Sequence, residues 1–197
     1  PQQQQEAYDK RRLGLGMTGV ADMLIMLGIT YGSDEAVAIM DKIAREIALS
    51  AYWASVELAK EKGPFPKFEA DGYLASGTFA QRLCEYDPDL EKAIRKHGIR
   101  NSHLLALAPT GTGSLTFGNN CSSGCEPVFA FGGIRKILQE DGTAKVEKGL
   151  ANAALLRYQE LGGDIDSLPD YFECTSTLDV SAHLEMLKVL APLVDAA

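Results

Sequence analysis

The longest periodic stretch of the chain begins at Ser33. Val37, Met40, Ala44, Ile47, Ala51, Ala54 and Leu58 recur at three- and four-residue steps, the pattern of one helix face. Ser33 is placed to cap its start, Asp34 and Glu35 complement the positive end of the helix dipole, and Gly63-Pro64 stops it. Upstream, Gln2 to Arg12 is polar and helix-compatible, and Leu13-Gly14-Leu15-Gly16-Met17 is a short apolar patch. Thr18 is placed to cap a helix through Val20, Met23, Leu24 and Leu27, ending at Gly28. Phe65 to Gly77 reads as a loop rich in Pro, Gly and aromatic residues, and Asp87-Pro88 starts a helix that ends near Gly98.

The second half changes character. Leu104-Leu105-Ala106-Leu107-Ala108 is an unbroken apolar run of strand length, which suits a strand buried on both faces, as in a parallel sheet. Phe129 to Gln139 and Ala144 to Val146 flank Asp141-Gly142, a hairpin signal. Lys148 to Leu161 and Val180 to Ala196 read as closing helices. Helices dominate with a few buried strands between them, so the expected class is α/β, and 197 residues suit a single domain.

Composition narrows the partners. Apolar residues make up 46% and charged residues 23%, a globular mixture, and 27 acidic against 19 basic side chains give a net charge of −8. The bases are not clustered, so a nucleic-acid-binding surface is not expected. No apolar run approaches the ~20 residues of a membrane span, and the start, Pro1-Gln2-Gln3-Gln4-Gln5-Glu6, is not a secretory signal. Four cysteines, Cys84, Cys121, Cys125 and Cys174, are too few and too unevenly placed for a disulfide framework, which points to reduced thiols in a cytoplasm.

Three constellations carry candidate chemistry. Gly14-x-Gly16-x-x-Gly19 matches the dinucleotide fingerprint, but Asp9-Lys10-Arg11-Arg12 precedes it where a buried strand is required, so packing glycines are the plainer reading. Pro109-Thr110-Gly111-Thr112-Gly113-Ser114 directly follows the apolar run, where open α/β sheets place ligands. Its glycines let N–H groups turn toward an anion and its hydroxyls add donors. No Lys precedes the Ser, so it is no Walker loop; a phosphate cradle and a helix-capping turn both remain open. Cys121-x-x-x-Cys125 lacks a second pair, and His97, His103 and His183 have no ligand spacing, so no metal is expected.

At these residues a family resemblance becomes specific. Arg11 to Asp22 resembles the RRIGLGVxGLAD segment of the large, catalytic subunit of ribonucleotide reductases. Asn101-Ser102-His103 with Ala108 to Ser114 resembles that family's RNSH…APTGTIS, and Ser122 to Phe129 resembles its SSGIEPVF. The Pro-Thr-Gly-Thr form is most similar to the adenosylcobalamin-dependent class. The resemblance implies the later part of a ten-stranded α/β barrel, that is, a helix-rich half-barrel, and an oxidoreductase of deoxyribonucleotide biosynthesis and DNA replication. It carries substrate-phosphate binding onto Pro109, Thr110, Gly111, Thr112, Gly113 and Ser114. The implied partners are a ribonucleotide substrate, the remainder of the barrel and a thioredoxin-like reductant, with adenosylcobalamin as cofactor of the full-length enzyme.

The family's radical-bearing Asn-x-Cys-x-Glu loop does not occur in this stretch, and Asn119-Asn120-Cys121-Ser122 lacks the Glu. The chain therefore reads as a piece of a longer enzyme, from mid-domain at Pro1 to mid-helix near Ala197, with no catalytic residue of its own and no turnover by itself. Gly113 stands where the family usually has Ile, and Cys121 and Cys125 are given no redox role. Open strand edges of a half-barrel would make self-association unsurprising. The rival is a non-catalytic nucleotide-phosphate-binding or scaffold protein on the same half-barrel. An Asn-x-Cys-x-Glu loop encoded upstream favours the enzyme, and its absence from the gene favours the scaffold.

Overall fold

The structure, a computed structural model, describes residues 2–116, 118–138 and 143–195, with the backbone alone at 134–138 and 144–150. In chain order the elements are α1 (Gln2–Lys10), α2 (Val20–Met26), α3 (Asp34–Lys62), α4 (Ala70–Tyr73), α5 (Phe79–Cys84), α6 (Pro88–His97) and α7 (Gly111–Thr116). Then come β1 (Gly132–Leu138), β2 (Ala144–Ala151), α8 (Ala153–Glu160), α9 (Val180–Leu190) and a 3-10 turn, Ala191–Leu193. The chain packs as two compact units, one from 1–16, 38–107 and 187–197, the other from 17–37 and 108–186.

Ser33 caps α3 as its sequence position predicts, its hydroxyl accepting from the Ala36 N–H at 3.2 Å, and Gly63 ends it at φ 76°. The buried stripe differs from the expected one. Met40, Ala44, Ala48, Tyr52 and Val56 are buried, whereas Ala54 and Leu58 face outward. Alanines allow more than one face, and the bulky Tyr52 decides which one turns inward. In the first unit Tyr52 and Val56 pack with Leu83, Leu90, Ile94 and Ile99. Two turns of helix, α4 and α5, occupy ground around the 65–77 loop. Glu69 and Thr78 cap them through side-chain oxygens, and both are too short for periodicity to register. Helix α6 begins and ends where the sequence places it, with Asp87 capping the N–H of Asp89.

Where a strand is expected at Leu104–Ala108, the described residues form no strand but isolated bridging, with Leu15 paired parallel to Leu105. The N–H groups of Leu13 and Leu15 donate to His103 and Leu104 carbonyls at 2.9 and 2.7 Å, and Ala106 donates back to Leu15 at 2.9 Å. Leu104 and Leu105 are buried, but Ala108 is exposed. The N–H groups of Leu104 and Leu105 go to the Asp195 carboxylate at 2.8 and 3.0 Å, so a side chain stands where a neighbouring strand would pair.

In the second unit β1 and β2 pair antiparallel from Gly132–Ala151 to Leu138–Ala144, with an irregularity between Gly133 and Ile134. The Asp141-Gly142 turn lies outside the described residues. Strand β2 continues to Ala151, so Lys148 to Ala151 are strand where a helix was expected; Asn152 starts α8 by capping Ala154 and Leu155. Helix α9 gives way to the 3-10 turn at Pro192, which has no N–H for the helix, rather than running on; Ala196 lies outside the described residues. The described residues are thus helix-rich with one hairpin, and no closed barrel is formed among them. No helix among them is long and apolar enough to cross a membrane.

Candidate functional site

Helix α7 begins inside the segment 109–114. Thr110 donates its N–H to Ala108, Gly111 to Pro109 at 2.5 Å, and Ser114 to Thr110 at 2.8 Å, which is the first bond of the helix. The N–H groups of Thr112 and Gly113 have no partner among the described residues, as the first turn of a helix dictates. Of the four N–H groups from Gly111 to Ser114, two are closed by the chain's own carbonyls and two are open among the described residues. The hydroxyls divide likewise. Ser114 is buried and donates to the Gly111 carbonyl at 2.9 Å, whereas Thr112 is exposed. The Thr110 oxygen accepts from the Gly124 N–H at 2.9 Å, leaving its own proton free to donate elsewhere. A side chain at Gly113 would meet nothing nearer than Thr110 Cβ at 3.9 Å, so the Gly in place of Ile answers no crowding here.

The segment Ser122 to Glu126 backs this loop. The Gly19 N–H and the Thr18 hydroxyl donate to the Ser122 carbonyl at 2.9 and 3.2 Å, and the Ala21 N–H donates to Ser122 Oγ at 3.2 Å. Asp22 takes the Ser122 N–H at 2.6 Å. Thr18 thus does not cap α2: Gly19, at φ 77°, holds that position without a side-chain bond. The Ser122 hydroxyl meets the first turn of α2 where a fingerprint helix would present its N–H groups to a pyrophosphate. In the first unit, Gly14 packs, its Cβ position 3.5 Å from Ala106 Cβ. Gly124 is at φ 41°, and a Cβ there would lie 2.8 Å from the Ala108 carbonyl oxygen, which is tighter than any side chain allows.

Between these segments and the base of the hairpin lies a cavity of about 750 Å³, lined by Pro109, Gly111, Ser114, Asn120, Cys121, Ser122 and Asn152, with Glu126 and His183 as its ionisable neighbours. Among the described residues no Lys or Arg lines it, and those that do would hold an anion by N–H and hydroxyl dipoles. The four cysteines are free. Burial pushes the Cys125 thiol up, helped by Glu126, and burial raises Cys84 to about 11. The Ser176 hydroxyl holds Cys174 below the ordinary thiol value. Among the described residues no three His, Cys, Asp or Glu side chains gather as a metal site would require. Sequence reasoning misses Asp22 and Asn152 as site-shaping residues. Asp22 closes the Arg11–Asp22 block, while the cap signal of Asn152 is hidden inside a helix expected to start four residues earlier, at Lys148.

Across residues 1–197 the chain matches the sequence profile of the ribonucleotide reductase barrel domain. It is similar to a vitamin B12-dependent ribonucleoside-diphosphate reductase of Mycobacterium tuberculosis, 35% identical over 70% of this chain and 17% of the relative. A protein of the same description from Thermoplasma acidophilum is 34% identical over 80% of this chain and 19% of its own length. A ribonucleoside-diphosphate reductase subunit alpha of Chlamydia pneumoniae is 31% identical over 96% of this chain and 19% of that relative. The chain thus spans under a fifth of the length of these relatives. With the family profile matched from end to end, the chain belongs to the ribonucleotide reductase barrel-domain family.

Proposed function

We propose that this chain is one domain, the later part of the catalytic barrel of an adenosylcobalamin-dependent ribonucleotide reductase, and that it supplies the loop for the substrate's phosphates. The observation that carries this is the pair of open N–H groups at Thr112 and Gly113, beside the Thr112 hydroxyl and the free proton of Thr110, in a segment whose neighbouring Pro109, Gly111 and Ser114 line the cavity. Converting a ribonucleotide to a deoxyribonucleotide requires the sugar to be held still while a thiyl radical removes its 3′ hydrogen. Fixing the phosphates supplies much of that alignment. Pro109 to Ser114 contribute unequally. Thr110, Thr112 and Gly113 offer donors, while Pro109, Gly111 and Ser114 shape the turn that aims them.

The names of the relatives favour a ribonucleoside diphosphate as substrate. The radical-bearing cysteine, the rest of the barrel and the docking surface for a thioredoxin-like reductant belong to other parts of the enzyme. So does the cofactor. A cavity of about 750 Å³ falls in the range of roughly 300–1,000 Å³ that suits a drug-sized ligand, and a corrinoid with its nucleotide loop is larger. This cavity alone would not enclose it.

The test is a titration of the isotope-labelled chain with a ribonucleoside diphosphate, read at the amide resonances of Thr112 and Gly113. Saturable shifts at both, shared with inorganic pyrophosphate and absent with the bare nucleoside, are expected. Shifts elsewhere with none at 112 and 113 would remove the phosphate assignment.

A further inference from the structure

Asp22 is 3% exposed, and its carboxylate is bonded only to N–H donors. Oδ2 accepts from the Ser122 N–H at 2.6 Å; Oδ1 accepts from Asn152 Nδ2 at 2.8 Å and from the Ala154 N–H at 3.0 Å. No Lys or Arg pairs with it among the described residues. A buried carboxylate without a cation is costly unless donors saturate it, and here three do. Both oxygens must act as acceptors. An amide in its place would turn an NH2 toward either the Ser122 N–H or the Asn152 amide, donor against donor, and would leave one buried group unsatisfied.

What those donors belong to gives the acid its role. Ser122 and Asn152 both line the cavity, from opposite ends of the 122–152 stretch. Two residues beyond Ser122, the Gly124 N–H holds the Thr110 hydroxyl, so the position of the 122–124 segment is passed directly to the candidate phosphate loop. Asn152 also reaches the Asn120 carbonyl at 3.5 Å and caps α8 with its own oxygen.

We propose that Asp22 is a positioning residue of the phosphate site. Its carboxylate fixes the Ser122 segment and the start of α8 together, and so sets the aim of Thr110 and of the open N–H groups at Thr112 and Gly113. It does not touch the ligand. This role rests on the phosphate assignment of residues 109–114.

The probe is inorganic pyrophosphate, titrated into the chain and read at the Thr112 and Gly113 amides well below the melting temperature. Asp22→Asn should weaken binding by about tenfold or more, the loss of one well-made hydrogen bond's worth of alignment. The double variant Asp22→Asn, Asn152→Asp reverses the polarity of the pair. The amide introduced at position 22 would then accept from the Ser122 N–H and donate to the carboxylate introduced at position 152, which takes the Ala154 N–H alone, while the Asn120 carbonyl loses its donor. Affinity should recover in part, by about threefold or more over Asp22→Asn alone. A purely structural acid would lower the melting temperature and leave pyrophosphate affinity alone. If Asp22→Asn does not fold, the double variant decides: folded but failing to bind, it overturns the proposal. Unchanged affinity in Asp22→Asn overturns the role of Asp22 and leaves the phosphate site standing. Absence of pyrophosphate shifts in the parent chain removes the site and, with it, the role.

Discussion

The backbone N–H of Gly124 donates to the Thr110 hydroxyl at 2.9 Å, tying the turn at Ser122–Glu126 to the segment that opens α7. Two blocks that sequence alone could only set side by side are thus one hydrogen-bonded unit. Gly124 is buried, so its N–H has no water to fall back on.

Thr110→Val keeps the shape and removes the acceptor. Stability should fall by about 1–3 kcal/mol, the cost of an unsatisfied buried donor, and Thr110→Ser should restore most of it. Urea midpoints at constant m-value measure both. Equal stability of the Val and Ser variants would mean the bond contributes nothing.

Thr112 and Ser114 should separate binding from folding. Thr112 is exposed, so Thr112→Ala should move stability by no more than about 0.5 kcal/mol while weakening pyrophosphate binding about tenfold. Ser114 spends its hydroxyl on Gly111, so Ser114→Ala should cost about 1 kcal/mol of stability and shift affinity by less than about threefold. The reverse order would place the ligand against Ser114.

The thiols should alkylate in an order set by their surroundings, because the thiolate is the reacting form. A lowered value gives Cys174 more thiolate at a given pH, and raised values leave Cys84 and Cys125 protonated and slow. Iodoacetamide at a pH of about 8, followed by peptide mass mapping, should show Cys174 modified well before Cys84, with Cys84 gaining on it only as pH rises toward about 11. Cys84 reacting first would contradict the burial of that thiol.

Much of the first half of the chain was legible because its signals are local. The Ser33 cap, the Gly63 stop and the Asp87-Pro88 start each depend on residues a few positions apart. What escaped depends on distant partners. Whether Leu104-Leu105 extends a sheet turned on Asp195, some ninety residues on, whose carboxylate takes the N–H groups a strand would have used. The loop at 109–114 was legible as a motif, but its division into open and closed donors was not. That division follows from α7 starting at Gly111, a helix of six residues with no apolar period to announce it. Asp22 and Asn152 lie 130 residues apart and carry no short-range pattern that pairs them.

Alone, the chain should reduce no ribonucleotide when given adenosylcobalamin and a dithiol. It contains no Asn-x-Cys-x-Glu loop, and the Cys125 thiol is buried and held protonated. Formation of deoxynucleotide that disappears in Cys121→Ser or Cys125→Ser would show that these thiols can carry the radical after all.

Asp195 should be the most costly polar residue to remove from the first unit. Its carboxylate accepts from Leu104 and Leu105 and from the Tyr52 hydroxyl at 2.9 Å, and Tyr52 is 1% exposed. Burial, with Tyr73 and Asp195 nearby, raises the Tyr52 pKa far above its ordinary value, so the phenol remains a donor throughout the usual pH range. Tyr52→Phe removes one donor and leaves the carboxylate two, which should cost about 1 kcal/mol. Asp195→Ala strands three donors at once, each worth roughly 1–3 kcal/mol when unsatisfied, so its loss should be at least twice as large. The double variant should then be less destabilised than the sum of the singles, since the phenol that Asp195→Ala strands is already gone. Strict additivity in a urea-denaturation cycle would mean that Tyr52 and Asp195 do not depend on each other, and the two leucine N–H groups would be the whole reason for the acid.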